Sequence, residues 1–110
     1  MESNKNLGEF EMLVLAAILR QDGDAYGISI KQDIEERTGR SPSLGALYAT
    51  LSRLEKKSLV RSRIGDATAE RGGRAKRHYT IESIGQKLLE QSVQALRNMT
   101  DGVVSWSFAI

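Results

Sequence analysis

Three helix-periodic segments, a basic strand pair with a glycine tip, and a closing segment with heptad-spaced apolar residues predict a mainly α fold with a small β-wing. Two features carry the prediction. The first is the change of rhythm, from a spacing of three and four residues to alternation around residue 59 and back again after residue 81. The second is charge. Residues 53–77 hold nine basic and three acidic residues, net +6, while the remaining seven basic and eleven acidic residues leave −4.

The chain of 110 residues supports one core of modest size. The first helix is expected over residues 7–20. Leu7, Phe10, Val14, Ala17 and Ile18 form a stripe, and Met12, Leu15, Ala16 and Leu19 lie partly on the other side. A helix apolar nearly all round is usually buried on two sides, which points to a second chain. Gly23 supplies a permissive site in the turn that follows.

Asp24 is a plausible N-cap for a second helix over residues 25–38, with Tyr26, Ile30 and Ile34 inward and Gly39 at its end. Gly27 lowers helix propensity, so its expected use is close approach of a neighbouring helix. Ser41 and then Pro42 read as the cap and first turn of a third helix. Leu44, Leu47, Leu51 and Leu54 form its inward stripe. Gly45, Ala46, Ala49, Ser52, Arg53 and Lys56 point outward, with Tyr48 and Thr50 on the flanks.

After Ser58, residues 59–66 read as a strand, with Val60, Ser62 and Ile64 opposite Arg61 and Arg63. Residues 65–73 form a turn-rich tip. The return over residues 74–81 sets Ala75, Arg77, Tyr79 and Ile81 against Lys76, His78 and Thr80. Three helices and this hairpin make a winged helix-turn-helix. A fourth helix starts at Glu82 or Ser83. Leu89, Leu96 and Val103 are seven apart, as are Ser92, Met99 and Trp106. This seam is short for a coiled coil; it packs either on the chain's own first helix or across a dimer. The expected division is a DNA-binding domain over 1–81 and a C-terminal dimerisation helix over 82–110.

Enzyme chemistry finds little support. Cys is absent and His78 is the one histidine. No phosphate-cradling glycine loop and no metal-spaced cluster of ligands appears, so no cofactor or metal is expected. No apolar run reaches the ~20 residues of a membrane span, and the N-terminal residues carry no apolar leader, so the expected location is the cytoplasm.

The lopsided charge favours a polyanion. A helix enters the major groove when small outer residues let its backbone approach, which marks Ser43, Gly45, Ala46, Tyr48, Ala49, Thr50 and Arg53 as candidate contacts on double-stranded DNA. Arg71, Arg74, Lys76 and Arg77 are candidate phosphate or minor-groove contacts. Tyr48 could equally be core packing, and Arg77 could pair with an acid in the fold. A protein-interaction module without specific DNA binding is the alternative. An RNA-binding module is disfavoured by the scarcity of exposed aromatics for base stacking.

The helix Gly45-Ala46-Leu47-Tyr48-Ala49-Thr50-Leu51, the wing Gly72-Gly73-Arg74-Ala75-Lys76-Arg77 and the Tyr26-Gly27 pair together resemble the PadR-like family of winged-helix transcriptional regulators. The resemblance runs from about residue 7 to residue 89. It implies a homodimeric repressor on a palindromic operator, in a short form with one C-terminal helix. By resemblance, Leu15 and Leu19 would meet Leu89, Val93 and Leu96 across the interface, with Met99, Val103 and Trp106 continuing the seam. A small apolar effector that releases DNA is also implied as a candidate. Three positions depart from the family pattern. Ala49 stands where Pro is frequent, and Ser58 stands where Gly is common. Leu96 falls near the place of a ligand-stacking Trp found in some short members, and Trp106 lies well beyond it.

Overall fold

A computed structural model describes residues 7–65 and 76–105. The elements run α1 (Glu9–Gln21), α2 (Gly27–Thr38), α3 (Leu44–Lys56), β1 (Val60–Ile64), β2 (Arg77–Ile81) and α4 (Ser83–Thr100). The two strands pair antiparallel with Val60 opposite Ile81 and Ile64 opposite Arg77. The tip at 66–75, and with it Arg71 and Arg74, lies outside the described residues, as does Trp106.

The core sits where α1, α2 and α3 meet the root of the hairpin. Val14, Leu15 and Ile18 of α1, Ile30 and Ile34 of α2, and Leu47, Leu51 and Leu54 of α3 are buried together with Leu59, Val60, Tyr79 and Leu89. Burial of each large aliphatic side chain contributes about 1.5–3 kcal/mol. The periodicity therefore placed most of the core correctly. It erred at two positions of α3. Leu44, expected inward, is 38% exposed, and Thr50, expected on the flank, is only 2% exposed. The buried stripe is Leu47, Thr50, Leu51 and Leu54; the first turn of α3 overhangs the core.

The starts of two helices also differ from expectation. Asp24 does not cap α2. Ala25 instead forms an isolated bridge with Tyr79, whose N–H donates to the Ala25 carbonyl at 2.8 Å. Helix α2 begins two residues later, at Gly27, and the Tyr26 N–H before it donates to Ser29 Oγ at 2.9 Å. Ser43, not Ser41, caps α3, and its Oγ accepts from the Ala46 N–H at 3.0 Å. Ser41 donates to Glu35 Oε2 at 2.7 Å, and Lys31 also bonds that carboxylate, so the α2–α3 loop is tied to α2.

Helix α3 ends in a Schellman motif. The Ser58 N–H donates to the Glu55 carbonyl at 2.9 Å, and the Leu59 N–H to the Leu54 carbonyl at 3.0 Å. Ser58 sits at φ +64°, the left-handed region that Gly occupies without penalty. The departure from Gly at this place is thus met by strain and not by a different cap.

The second side of α1 is covered within the same chain, by β2 and the first half of α4. Leu15 is fully buried there and Leu89 nearly so. Both were expected at a dimer interface; in the structure they are core. Ser92 faces α1 as well, its Oγ accepting from the Leu7 N–H at 3.4 Å. Val93, Leu96 and Met99 continue along α4 and remain exposed, Leu96 by 47% and Met99 by 82%. Helix α4 stops at Thr100, and Val103 lies in the turn that follows, its N–H on the Thr100 carbonyl. The heptad seam expected to run through Val103 is therefore interrupted.

Candidate nucleic-acid interface

The outer face of α3 is open. Gly45, Ala46, Ala49, Ser52, Arg53 and Lys56 are all exposed. Gly45 is the informative one. It does not adopt a positive φ, and a Cβ placed on it would meet nothing within 4 Å. Among the described residues nothing packs against this position, so the backbone of α3 is open to an outside surface here.

Tyr48 is both of the things expected of it. It is 46% exposed, yet its phenol lies across the first residue of α2. A Cβ on Gly27 would come within 2.0 Å of Tyr48 Oη. Gly27 is thus the seat of a side chain from the neighbouring helix, and this seat fixes the rotamer of Tyr48 on the reading face. Thr50 cannot contact a base. It is buried, and its Oγ1 accepts from Arg53 Nη2 at 3.0 Å. Its part is to hold Arg53, which stays on the surface. Ser43 remains exposed but spends an acceptor on its cap.

In the wing, Lys76 is exposed, with Nζ 4.3 Å from the centroid of the Tyr26 ring. Arg77 reaches an acid indirectly. Its Nη1 donates to Ser62 Oγ at 3.0 Å, and that hydroxyl donates to Glu55 Oε2 at 2.8 Å. Two other cations of the basic block are neutralised, Arg61 by Glu82 at 2.9 Å and Lys57 by Glu11 at 3.3 Å. Lys56 and Arg63, which periodicity did not single out as contacts, are exposed and have no acidic partner among the described residues. Arg53 and Lys56 on α3, and Arg63 and Lys76 on the hairpin, are thus exposed cations without an ion pair among the described residues.

Two positioning residues escaped the sequence reading. Gly85 lies in the first turn of α4, where a Cβ would come within 2.2 Å of the Leu59 carbonyl oxygen. That same oxygen accepts from the Glu82 N–H at 2.9 Å, so α4 enters directly against the start of β1. Ala25 was read as helix, because a single bridge residue leaves no alternation to detect. Burial pushes the Tyr79 phenol, beside that bridge, above its ordinary range. Among the described residues there is no cluster that could hold a metal ion, and no helix is long and apolar enough to cross a membrane.

Residues 14–91 match the profile of the transcriptional regulator PadR-like family. The chain belongs to the PadR-like family. An uncharacterized protein of Lysinibacillus sphaericus is 36% identical over 89 residues, which are 79% of this chain and 77% of that protein. A 37.1 kDa protein in transposon TN4556 of Streptomyces fradiae is 34% identical over 93 residues, and there the match spans only 24% of the relative. Among solved structures, a PadR family transcription regulator from Clostridium difficile R20291 superposes with a TM-score of 0.70 at 26% identity, over 84% of this chain and 92% of that one. A PadR-like transcription factor from Bacteroides fragilis superposes at 0.73 with 20% identity, over 86% and 85%, a likeness of fold. Membership makes this PadR-like chain a DNA-binding transcriptional regulator and not an enzyme.

Proposed function

We propose that this PadR-like protein is a cytoplasmic homodimeric repressor that reads a palindromic operator in double-stranded DNA. Residues 1–81 hold the reading head, and the C-terminal region 82–110 supplies the dimer contact through α4 (Ser83–Thr100). The observation that carries the reading is Gly45, a helical glycine that faces open space on a surface otherwise built of alanines and cations. Gly45, Ala46, Ala49, Tyr48 and Arg53 face the major groove. Lys76 meets phosphate, and Arg71, Arg74 and Arg77 serve the same backbone. Dimerisation rests on Leu19, Val93, Leu96 and Met99, large apolar side chains that remain exposed. Two-fold symmetry in such a protein matches two half-sites about one helical turn apart.

Release by a small apolar effector completes the proposal. Its candidate seat is the groove between α1 and α2 lined by Leu13, Ala16, Ala17 and Ile34, of about 170 Å³. That is below the ~300 Å³ of an ordinary small-molecule site, so the effector is small.

The test has two arms. Leu96→Asp places a charge on an exposed stripe that the single chain does not use, so the fold should survive and sedimentation at micromolar concentration should shift from dimer to monomer. Ala46→Leu should keep fold and dimer but lose preference for a selected operator by more than the ~1–3 kcal/mol of one base contact. A monomeric wild type, or an Ala46→Leu protein with unchanged preference, would remove the proposal.

A further inference from the structure

We infer that Tyr26 is a positioning residue for DNA binding: its ring holds the Lys76 ammonium at the root of the wing, so that phosphate affinity depends on a side chain that touches no DNA. The inference rests on the proposal that Lys76 meets phosphate. Tyr26 occupies the junction between α2 and the hairpin. Its backbone N–H is held by Ser29 Oγ, and its neighbour Ala25 bridges to Tyr79 of β2. The backbone of Tyr26 is therefore fixed by bonds that no side-chain change at this position would break.

Two contacts then converge on its ring. Lys76 Nζ stands 4.3 Å from the centroid. The His78 ring lies 5.9 Å away, tilted by 58°. His78 in turn fills the space beside Gly65, where a Cβ would come within 2.9 Å of Cδ2 of the imidazole, and the Gly65 N–H donates to the Lys76 carbonyl at 2.7 Å. His78 Nδ1 is buried with no hydrogen-bond partner among the described residues. Through Nδ1 the imidazole makes no bond, and it acts as a spacer between strand and ring. The stack Gly65–His78–Tyr26 sets the height at which Lys76 leaves the strand.

An ammonium on a ring face keeps its other donors free. Lys76 is exposed, so it can meet phosphate without leaving the ring. An unheld lysine must be ordered when DNA binds, and that ordering weakens the complex. A cation–π contact at such a site is worth about two- to fivefold in affinity.

The experiment is a double-mutant cycle, read by fluorescence anisotropy with a random-sequence duplex at low salt. Tyr26→Leu should weaken binding about two- to fivefold per chain, and Tyr26→Phe, which keeps the ring, should bind as wild type. In a Lys76→Ala background the Leu substitution should have no further effect. A general structural role predicts losses that add in both backgrounds, and that result overturns the inference, as does unchanged or increased affinity of Tyr26→Leu. Proton NMR of the free protein supplies a readout independent of DNA. The Lys76 ε-methylene should be shifted upfield by the ring in wild type and Tyr26→Phe, and not in Tyr26→Leu. A present shift with a wild type that binds no duplex would mean that the DNA reading has failed and the contact has not; an absent shift would remove the contact itself.

Discussion

Gly45→Ala separates stability from recognition with a single methyl group. Gly45 lies in the first turn of α3. Its backbone is outside the positive-φ region, and the added Cβ meets nothing within 4 Å, so the substitution introduces neither strain nor clash. What remains is helix propensity, which favours Ala by about 0.5–1 kcal/mol. For a domain of this size that raises the thermal midpoint by about 2–8 °C at fixed protein concentration. The complex should respond in the opposite sense. If the α3 backbone lies against the groove at Gly45, the new methyl holds the helix off the base edges. Loss of one good base contact costs about 1–3 kcal/mol, a five- to 150-fold fall in specific affinity. Random-duplex binding, carried by the cations, should change less. Thermal unfolding and anisotropy titrations against a selected operator and a scrambled duplex measure both effects on one preparation. A more stable protein with undiminished operator preference would show that the start of α3 does not approach DNA. A less stable protein would show that the space around Gly45 is not open.

Three further outcomes follow from the packing. Gly85→Ala drives a Cβ to 2.2 Å from the Leu59 carbonyl, a backbone atom that cannot swing aside; overpacking of this kind costs about 1–3 kcal/mol, outweighing the gain in helix propensity, and a urea midpoint at or above wild type would refute it. Ser58→Gly relieves the left-handed strain at φ +64° and should stabilise by up to about 1 kcal/mol without altering DNA affinity, as read by thermal unfolding and the same titrations. Burial raises the Glu11 carboxyl, but the Gly8 N–H, the Lys57 ammonium and the nearby Arg53 outweigh it and hold it below the ordinary carboxylate range. Its folded value lies under its unfolded one, so its contribution is present above the unfolded value and fades as pH falls through the depressed one, below about pH 4. Glu11→Gln should therefore lower the urea midpoint at pH 7 and make little difference at pH 3; equal midpoints at pH 7 would refute the role.

The fold was legible because its signals are local. Leucines at i, i+4 and i+7 in α3 and the alternation around Val60 and Tyr79 declare themselves in short windows. The basic block likewise marked the face that the cations occupy. What escaped depends on distant neighbours. Thr50 and Leu44 exchanged places because the periodicity locates a stripe but not its exact phase, and at the first turn of a helix that phase decides burial. Leu15 and Leu89 looked like interface residues because a two-sided helix needs a second cover. That the cover is the chain's own α4 goes with the close seating of Gly85 on the Leu59 carbonyl, a long-range contact that no pattern in one dimension contains. Tyr26 was expected inward on the second helix but stands half-buried at its N-cap, and its contact with Lys76 escaped because it joins positions fifty residues apart.

One residue, Leu59, ties α3, the hairpin and α4 together. The Leu59 amide closes the end of α3, its carbonyl accepts from the start of α4, and Gly85 rests on that carbonyl. Three elements thus share a pivot with no slack in it. A displacement of α4 at this joint would therefore bear on α3 and the hairpin together, because both are bonded through the same residue.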